Sequence, residues 1–298
     1  MTATAAADRR ALWGAVVAVA STATAGAAMV AVRFAVAEVP PLALTLMRMA
    51  TTLAVIAPLA LLLGGKWPRG RDLAFVVTLG IVLFAFGQWL VSVSLSFTTA
   101  ARGAIIFSTM PVMTLVAAAA LGIERLTAAK AGGVVLAMAG IALAMGGGAA
   151  GVPGGWRGDA IMVVSTVIIA GYNIVARDAA RRYPPFVFIT ANMAPAVVVL
   201  GLITAATGTP LLTLDLAPEV WAAVAFIGLV GGAAAYGLFL LAISMTTPTR
   251  VAIAVPVNPL VAILLGAAVL GEHVGVGTIV GFLCVAAGVV LVNLPARA

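Results

Sequence analysis

The side chains equipped for chemistry are few and lie scattered in apolar surroundings: Gln88, Trp89 and Ser92 within about one helical turn, Tyr172 with Asn173, Tyr236, Met110 beside Pro111, Asn258 between Pro256 and Pro259, and a lone Arg48. These groups bind rather than make and break bonds. Amides, hydroxyls, aromatic faces, a thioether and a guanidinium can hold a small amphipathic solute by hydrogen bonding and packing. Covalent catalysis has little to work with, since the chain has one histidine, His273, one cysteine, Cys284, and no HExxH, Walker or paired-carboxylate motif. A single cysteine allows no internal disulfide, and Cys284 reads as a small apolar packer. A metal would find almost no soft ligands. The sequence therefore implies no cofactor and no metal, and it does not read as an enzyme.

Composition decides where these residues must sit. Of the 298 residues 64% are hydrophobic and 8% charged, and the mean hydropathy is +1.23. A soluble globule carries about 25% charged residues to coat its surface, so this chain belongs in a lipid bilayer. Apolar runs of about 20 residues suffice to cross a hydrocarbon core of about 30 Å. Ten can be laid out: Ala11–Val32, Leu42–Leu63, Asp72–Leu95, Gly103–Gly122, Ala129–Gly146, Trp156–Ala176, Phe186–Ala206, Glu219–Ile243, Val251–Gly271 and Gly275–Leu294. Helices are expected, because lipid cannot satisfy an open sheet edge and the runs lack the alternation of barrel strands. Gly133 and Gly140, like Gly281 and Gly288, stand about two turns apart on one helical face, a pattern that suits close helix packing.

The ten spans form two copies of one unit. An offset of 144 carries Gly14 to Gly158, Arg33 to Arg177, Pro40-Pro41 to Pro184-Pro185 and Met49 to Met193. From about residue 73 the offset becomes 148 and carries Gly80 to Gly228, Arg102 to Arg250, Pro111 to Pro259, Glu124 to Glu272 and Gly140 to Gly288. The units are 11–146 (helices one to five) and 155–294 (helices six to ten), with a Gly-rich linker at 147–154. Because the first span takes part in the repeat, it is expected to be retained rather than cleaved as a signal peptide.

Five spans per unit is an odd number, so the second copy enters the membrane from the opposite side. Charge agrees with that inversion. With the N-terminus cytoplasmic, twelve Lys and Arg fall in cytoplasmic segments and three, Arg33, Arg102 and Arg157, fall outside. The positive-inside rule selects this orientation, with both termini cytoplasmic. The net charge of +7 follows from topology and calls for no nucleic-acid partner.

Inverted repeats are the usual architecture of secondary transporters, and particular motifs narrow the family. Pro111-Val-Met-Thr-Leu, Leu121-Gly-Ile-Glu124-Arg-Leu-Thr, Gly132-Gly and Ala139-Gly140-Ile, echoed by Pro259-Leu-Val-Ala-Ile, Leu270-Gly-Glu272-His, Gly281 and Gly288-Val, resemble the repeat signature of EamA-type transporters of the drug/metabolite superfamily. Met29-Val-Ala-Val-Arg33 and Leu46-Met-Arg48 also fit the pattern. Two positions depart from it: Ala25-Gly26 where many relatives have Trp-Gly, and Asn192 where Arg48 would recur. Both touch faces where a pathway is expected. The resemblance implies an all-α membrane protein of ten transmembrane helices, two inverted five-helix repeats around a central cavity, in the bacterial inner membrane. Helices five and ten would pack at its periphery. It further implies a small-molecule substrate, moved mostly outward; in overall pattern the chain is similar to the bacterial aromatic amino-acid exporters called YddG.

Within that frame each candidate has two readings. Met110 and its repeat mate Asn258 lie about 12 Å into their spans, near the midplane, and are the first choices for substrate contact. Gln88, with its mate Tyr236 and with Trp89 and Ser92 nearby, either faces a wet cavity or bonds a neighbouring helix. Arg48 either holds a substrate carboxylate or bonds helix carbonyls. Asn173 could guard the inner mouth, while Tyr172 reads as an interfacial anchor. Pro111, Pro256 and Pro259 would free the carbonyls of Phe107, Ala252 and Val255 and serve as hinges or as tolerated kinks. Glu124 and Glu272 read as local caps or salt bridges. No Asp or Glu lies deep in a span, so a simple carboxylate proton relay is not visible. No ring of charge or carbonyl-lined loop suggests a channel filter. The expected activity is export of small amphipathic metabolites, aromatic or hydrophobic amino acids first, with drugs as the alternative substrate and a passive channel as the alternative class.

Overall fold

The computed structural model describes residues 3–124, 126–146, 155–210, 216–246, 251 and 254–293; the linker expected at 147–154 lies outside them. Without water to satisfy the backbone, each long apolar run closes its hydrogen bonds internally. The helices are α1 (Ala3–Ala35), α2 (Pro41–Leu63), α3 (Gly70–Phe97), α4 (Ala100–Ala120), α5 (Ala128–Gly146), α6 (Gly155–Val175), α7 (Pro185–Ala206), α8 (Pro218–Met245), α9 (Val257–Leu270) and α10 (Val276–Asn293). Among the described residues, nine helices are long and apolar enough to cross a membrane, and α9 is a shorter apolar one. A short helix, Arg177–Arg182, joins α6 to α7.

The ninth span is interrupted: Val251 is helical, residues 254–256 are turns, and α9 continues from Val257. Pro256 suits the interruption, because proline lacks the N–H that an interior helical position must donate.

The repeat is visible in the packing. α1 lies against α8 and α9 as α6 lies against α3 and α4, while α2 packs on α7 and α5 on α10 across the pseudo-twofold axis. The α5–α10 seam is drawn together by its glycines. A Cβ on Gly133 would stand 2.9 Å from the Gly288 carbonyl oxygen, and one on Gly281 would stand 2.6 Å from that of Gly140. Backbones this close gain van der Waals contact that larger residues would forbid.

Both repeats also carry a π-helical segment, Ile81–Gly87 in α3 and Leu229–Ala234 in α8. The two begin 148 residues apart; the first ends directly before Gln88 and the second two residues before its mate Tyr236. An extra residue in a turn re-aims the side chains that follow it, which is why such segments recur at functional sites.

Candidate functional site

Gln88, delivered by the π-helical turn of α3, accepts a hydrogen bond from Arg48 of α2, with Arg48 Nη2 and Gln88 Oε1 2.9 Å apart. Tyr236, delivered by the matching turn of α8, is set edge to face on Phe84 at 6.1 Å, and Tyr172 of α6 does the same from its side at 6.5 Å. Trp89, Phe107 and Met110 pack into the same apolar cluster as these three rings. Aromatic rings thus pack around one amide and one guanidinium, and this packed cluster is the candidate binding chamber. It unites five of the residues expected from sequence, Arg48, Gln88, Trp89, Met110 and Tyr236, from α2, α3, α4 and α8.

Two further residues join the cluster: Tyr172, expected as an interfacial anchor, and Asn192, expected to touch a face of the pathway. Tyr172 lies in the chamber rather than at the interface, and its hydroxyl donates to Asn192 Oδ1 at 3.4 Å. Asn192 in turn donates from Nδ2 to the Phe188 carbonyl at 2.7 Å. The available signal for Asn192 was its position as the repeat mate of Arg48.

Ser92 stands apart from any solute. It is fully buried, accepts the Thr45 hydroxyl at 2.8 Å and donates to the Gln88 carbonyl at 3.3 Å. Its work is to tie α2 to α3. Asn258 is 7% exposed, and its Oδ1 has no hydrogen-bond partner. Its backbone presses on α1, where a Cβ on Gly26 would come 2.3 Å from the Asn258 carbonyl oxygen.

The prolines open helical segments rather than bend continuous ones. Pro111 is the second residue of the segment Met110–Ala120, after a break at Ser108–Thr109. There the hydroxyls of Ser108 and Thr109 donate to the carbonyls of Ile105 and Ile106. The Val255 carbonyl, expected to be free, accepts the Asn258 N–H at 3.1 Å. Ala252 lies outside the described residues.

A cavity of about 300 Å³ is lined by Met110, Pro111, Thr114, Glu124, Asn173 and Asn293, among others. Met110 belongs both to this lining and to the aromatic cluster. The cavity lies toward the basic end of the bundle, where α4, α6 and α10 finish. Its pseudo-symmetric counterpart is packed shut. Met110, Pro111, Thr114 and Asn173 keep exposed surface, whereas their mates Asn258, Pro259, Ala262 and Met29 are buried.

Two polar ties close that opposite end. The Glu272 carboxylate accepts the backbone N–H groups of Ala100 at 2.8 Å and Ala101 at 3.4 Å, with Arg33 Nε 3.8 Å away. It is therefore a cap in trans, on a helix remote in sequence, rather than a local one. Burial pushes the Glu272 carboxyl above the usual carboxylate range, and the two N–H groups and Arg33 pull the other way. In the second tie, Arg102 of α4 pairs with Asp159 of α6, which also accepts the Thr98 hydroxyl at 2.6 Å. Asp159 is fully buried, which its place near the start of a span did not suggest. Glu124 at the basic end, by contrast, makes the local pair expected of it, with Lys130.

Among the described residues no three His, Cys, Asp or Glu side chains gather as a metal site requires. The assembly sets hydrogen-bonding and aromatic groups beside a cavity at the basic end, which suits binding and release of an unaltered solute.

Comparison with known proteins agrees. The EamA-like transporter family matches residues 12–146 and 156–294. An uncharacterized transporter of Clostridium kluyveri is 21% identical over 226 residues, covering 74% of this chain and 72% of its own length. A protein of known crystal structure shares the fold with a TM-score of 0.64 at 19% identity, over 92% of this chain and 95% of its own. With most of both halves matched, the chain belongs to the EamA-like transporter family of the drug/metabolite superfamily and is a multi-pass membrane transporter.

Proposed function

We propose that the protein exports small amphipathic metabolites, aromatic and other hydrophobic amino acids first among them, by alternating access. The proposal places it in the bacterial inner membrane with both termini and the basic end in the cytoplasm. One observation carries it: a cavity bordered by Met110 opens at the basic end, while the same residues of the other repeat are packed together. Two pseudo-symmetric halves held in different shapes are what a carrier needs in order to exchange them and turn the site to the other side. A passive channel would instead need both ends open at once. The chamber lining supports the substrate class, since aromatic walls suit an apolar body and Arg48 with Gln88 suits one polar group. A polyanion would want several cations there.

The test is uptake of radiolabelled phenylalanine, tryptophan and threonine into liposomes carrying the purified protein, with and without unlabelled amino acid inside. Saturable uptake stimulated from the far side is the expected result. Uptake no greater than in protein-free liposomes would remove amino acids from the proposal and turn the search to drugs.

A further inference from the structure

We infer that Arg48 anchors a substrate carboxylate, and that the class recognised is the apolar monocarboxylic acids, aromatic ones foremost, with or without an α-amino group. This deepens the function proposed above and rests on it for the location of the site.

The first ground is an unbalanced charge. Arg48 lies about 10 Å along α2 from Pro41 by the helical rise. None of the four ion pairs among the described residues includes it. Its side-chain partner is the neutral oxygen of Gln88, and a guanidinium has five N–H donors in a planar fork. An ionised group in a membrane interior is expensive unless an opposite charge or a full set of acceptors meets it. A carboxylate bound bidentately supplies both.

The second ground is that Arg48 is held in place. Thr52 donates its hydroxyl to the Arg48 carbonyl at 2.8 Å and to the Gly228 carbonyl at 2.9 Å. Gly228 of α8 lies so close to α2 that a Cβ on it would sit 2.6 Å from Thr51 Cβ. Gln88 is buried, and its own backbone carbonyl is engaged by Ser92. The guanidinium therefore meets an incoming group from a prepared position, beside the rings of Tyr236, Phe84 and Trp89.

The third ground sets the number of charges. Among the described residues the acids lie at the ends of the bundle: Asp159 is engaged by Arg102, Glu272 by α4, Glu124 by Lys130 and Asp72 by Arg182, while Glu38, Asp178 and Glu219 sit beyond or at helix termini. At the symmetric position, Asn192 satisfies itself on Phe188 and Tyr172. One cation and, among the described residues, no anion in the cluster select a single carboxylate and leave an amino group tolerated but unread.

Calorimetric binding to the purified protein in nanodiscs tests this with 3-phenylpropionate, phenylalanine and phenethylamine. Phenylpropionate and phenylalanine should bind within about tenfold of each other, with phenethylamine weaker by about thirtyfold or more, the cost of leaving a buried charge unpaired. Arg48→Gln should weaken both acids about as much and leave the amine unchanged, and Arg48→Lys should restore part of the loss. Phenethylamine binding as well as phenylpropionate would overturn the inference, as would undiminished acid binding by folded Arg48→Gln protein. If the Arg48 variants do not fold, the ligand series on the native protein decides alone. Binding of phenylalanine and phenethylamine alike would remove the anchor and keep an amino-acid carrier; binding of organic cations alone would remove both.

Discussion

The Glu272 carboxylate accepts the Ala100 N–H at 2.8 Å across 172 residues of sequence, so the turn after α9 caps the first turn of α4. A carboxylate at a helix N-terminus answers unpaired N–H groups and the positive end of the helix dipole together. Loss of such a cap costs about 1–2 kcal/mol, a five- to thirtyfold change in an equilibrium. Glu272→Ala should therefore loosen the closed end. In a Cys284→Ala background, Asn258→Cys should react faster with a membrane-impermeant thiol reagent added from that side when Glu272→Ala is present. Equal rates would show that the cap does not hold the end shut.

The same carboxyl gives a pH dependence with a definite sign. Burial raises its pKa in the closed form, and an end that opens returns it to water and to its ordinary affinity for protons. The closed form then binds the proton more tightly, so acidification favours closure and the bias is lost as pH rises through the raised pKa. Labelling of Asn258→Cys from that side, normalised at each pH to the unfolded protein, should fall on acidification. With Glu272→Gln the profile should be flat; an unchanged profile would assign the effect to another group.

Alternating access makes a prediction about the mates of this tie. Glu124 and Arg177 occupy, in the other repeat, the positions of Glu272 and Arg33. Here Glu124 pairs instead with Lys130, while Arg177 is exposed. When the ends exchange shapes, Glu124 should leave Lys130 for Arg177. Glu124→Cys with Arg177→Cys, without Cys284, should cross-link under oxidant, stop exchange and recover on reduction. Failure to cross-link while transport continues would refute the exchange of these partners.

The pair formed by Arg102 and Asp159 should dominate stability at the closed end. Asp159 is fully buried and Arg102 nearly so. Removing one partner strands the other, at a cost of about 3–5 kcal/mol, whereas replacing both with apolar residues of similar volume is often neutral. Asp159→Ala should thus lower the midpoint of thermal unfolding in detergent well below that of the double variant Arg102→Met, Asp159→Leu. Equal midpoints would mean that the pair is solvated.

The ten apolar runs and the facing glycines at 133, 140, 281 and 288 were legible because each is a local property: a run length, or a spacing on one face. Met110, Gln88 and Tyr236 could be picked out because a polar, aromatic or proline-flanked position in so apolar a chain has few other reasons to exist. The partners were another matter. Nothing in the spacing of Arg48 and Gln88, 40 residues apart, says that they meet, and nothing in the surroundings of Asp159 says that it is buried against α4. The π-helical turns were equally hidden, because an extra residue in a turn is tolerated only where a neighbouring helix leaves room for it.

What the sequence determined by itself was the medium, the helices, the inverted duplication and the short inventory of groups able to touch a solute, all of which depend on hydropathy, charge and period along one dimension. Tertiary structure alone decided which of those groups share a chamber, which end of the bundle is open and which carboxylate caps a helix. The two repeats have nearly the same pattern and could adopt either of two shapes. Which one each adopts depends on contacts between helices far apart in the chain, and a linear pattern does not encode those.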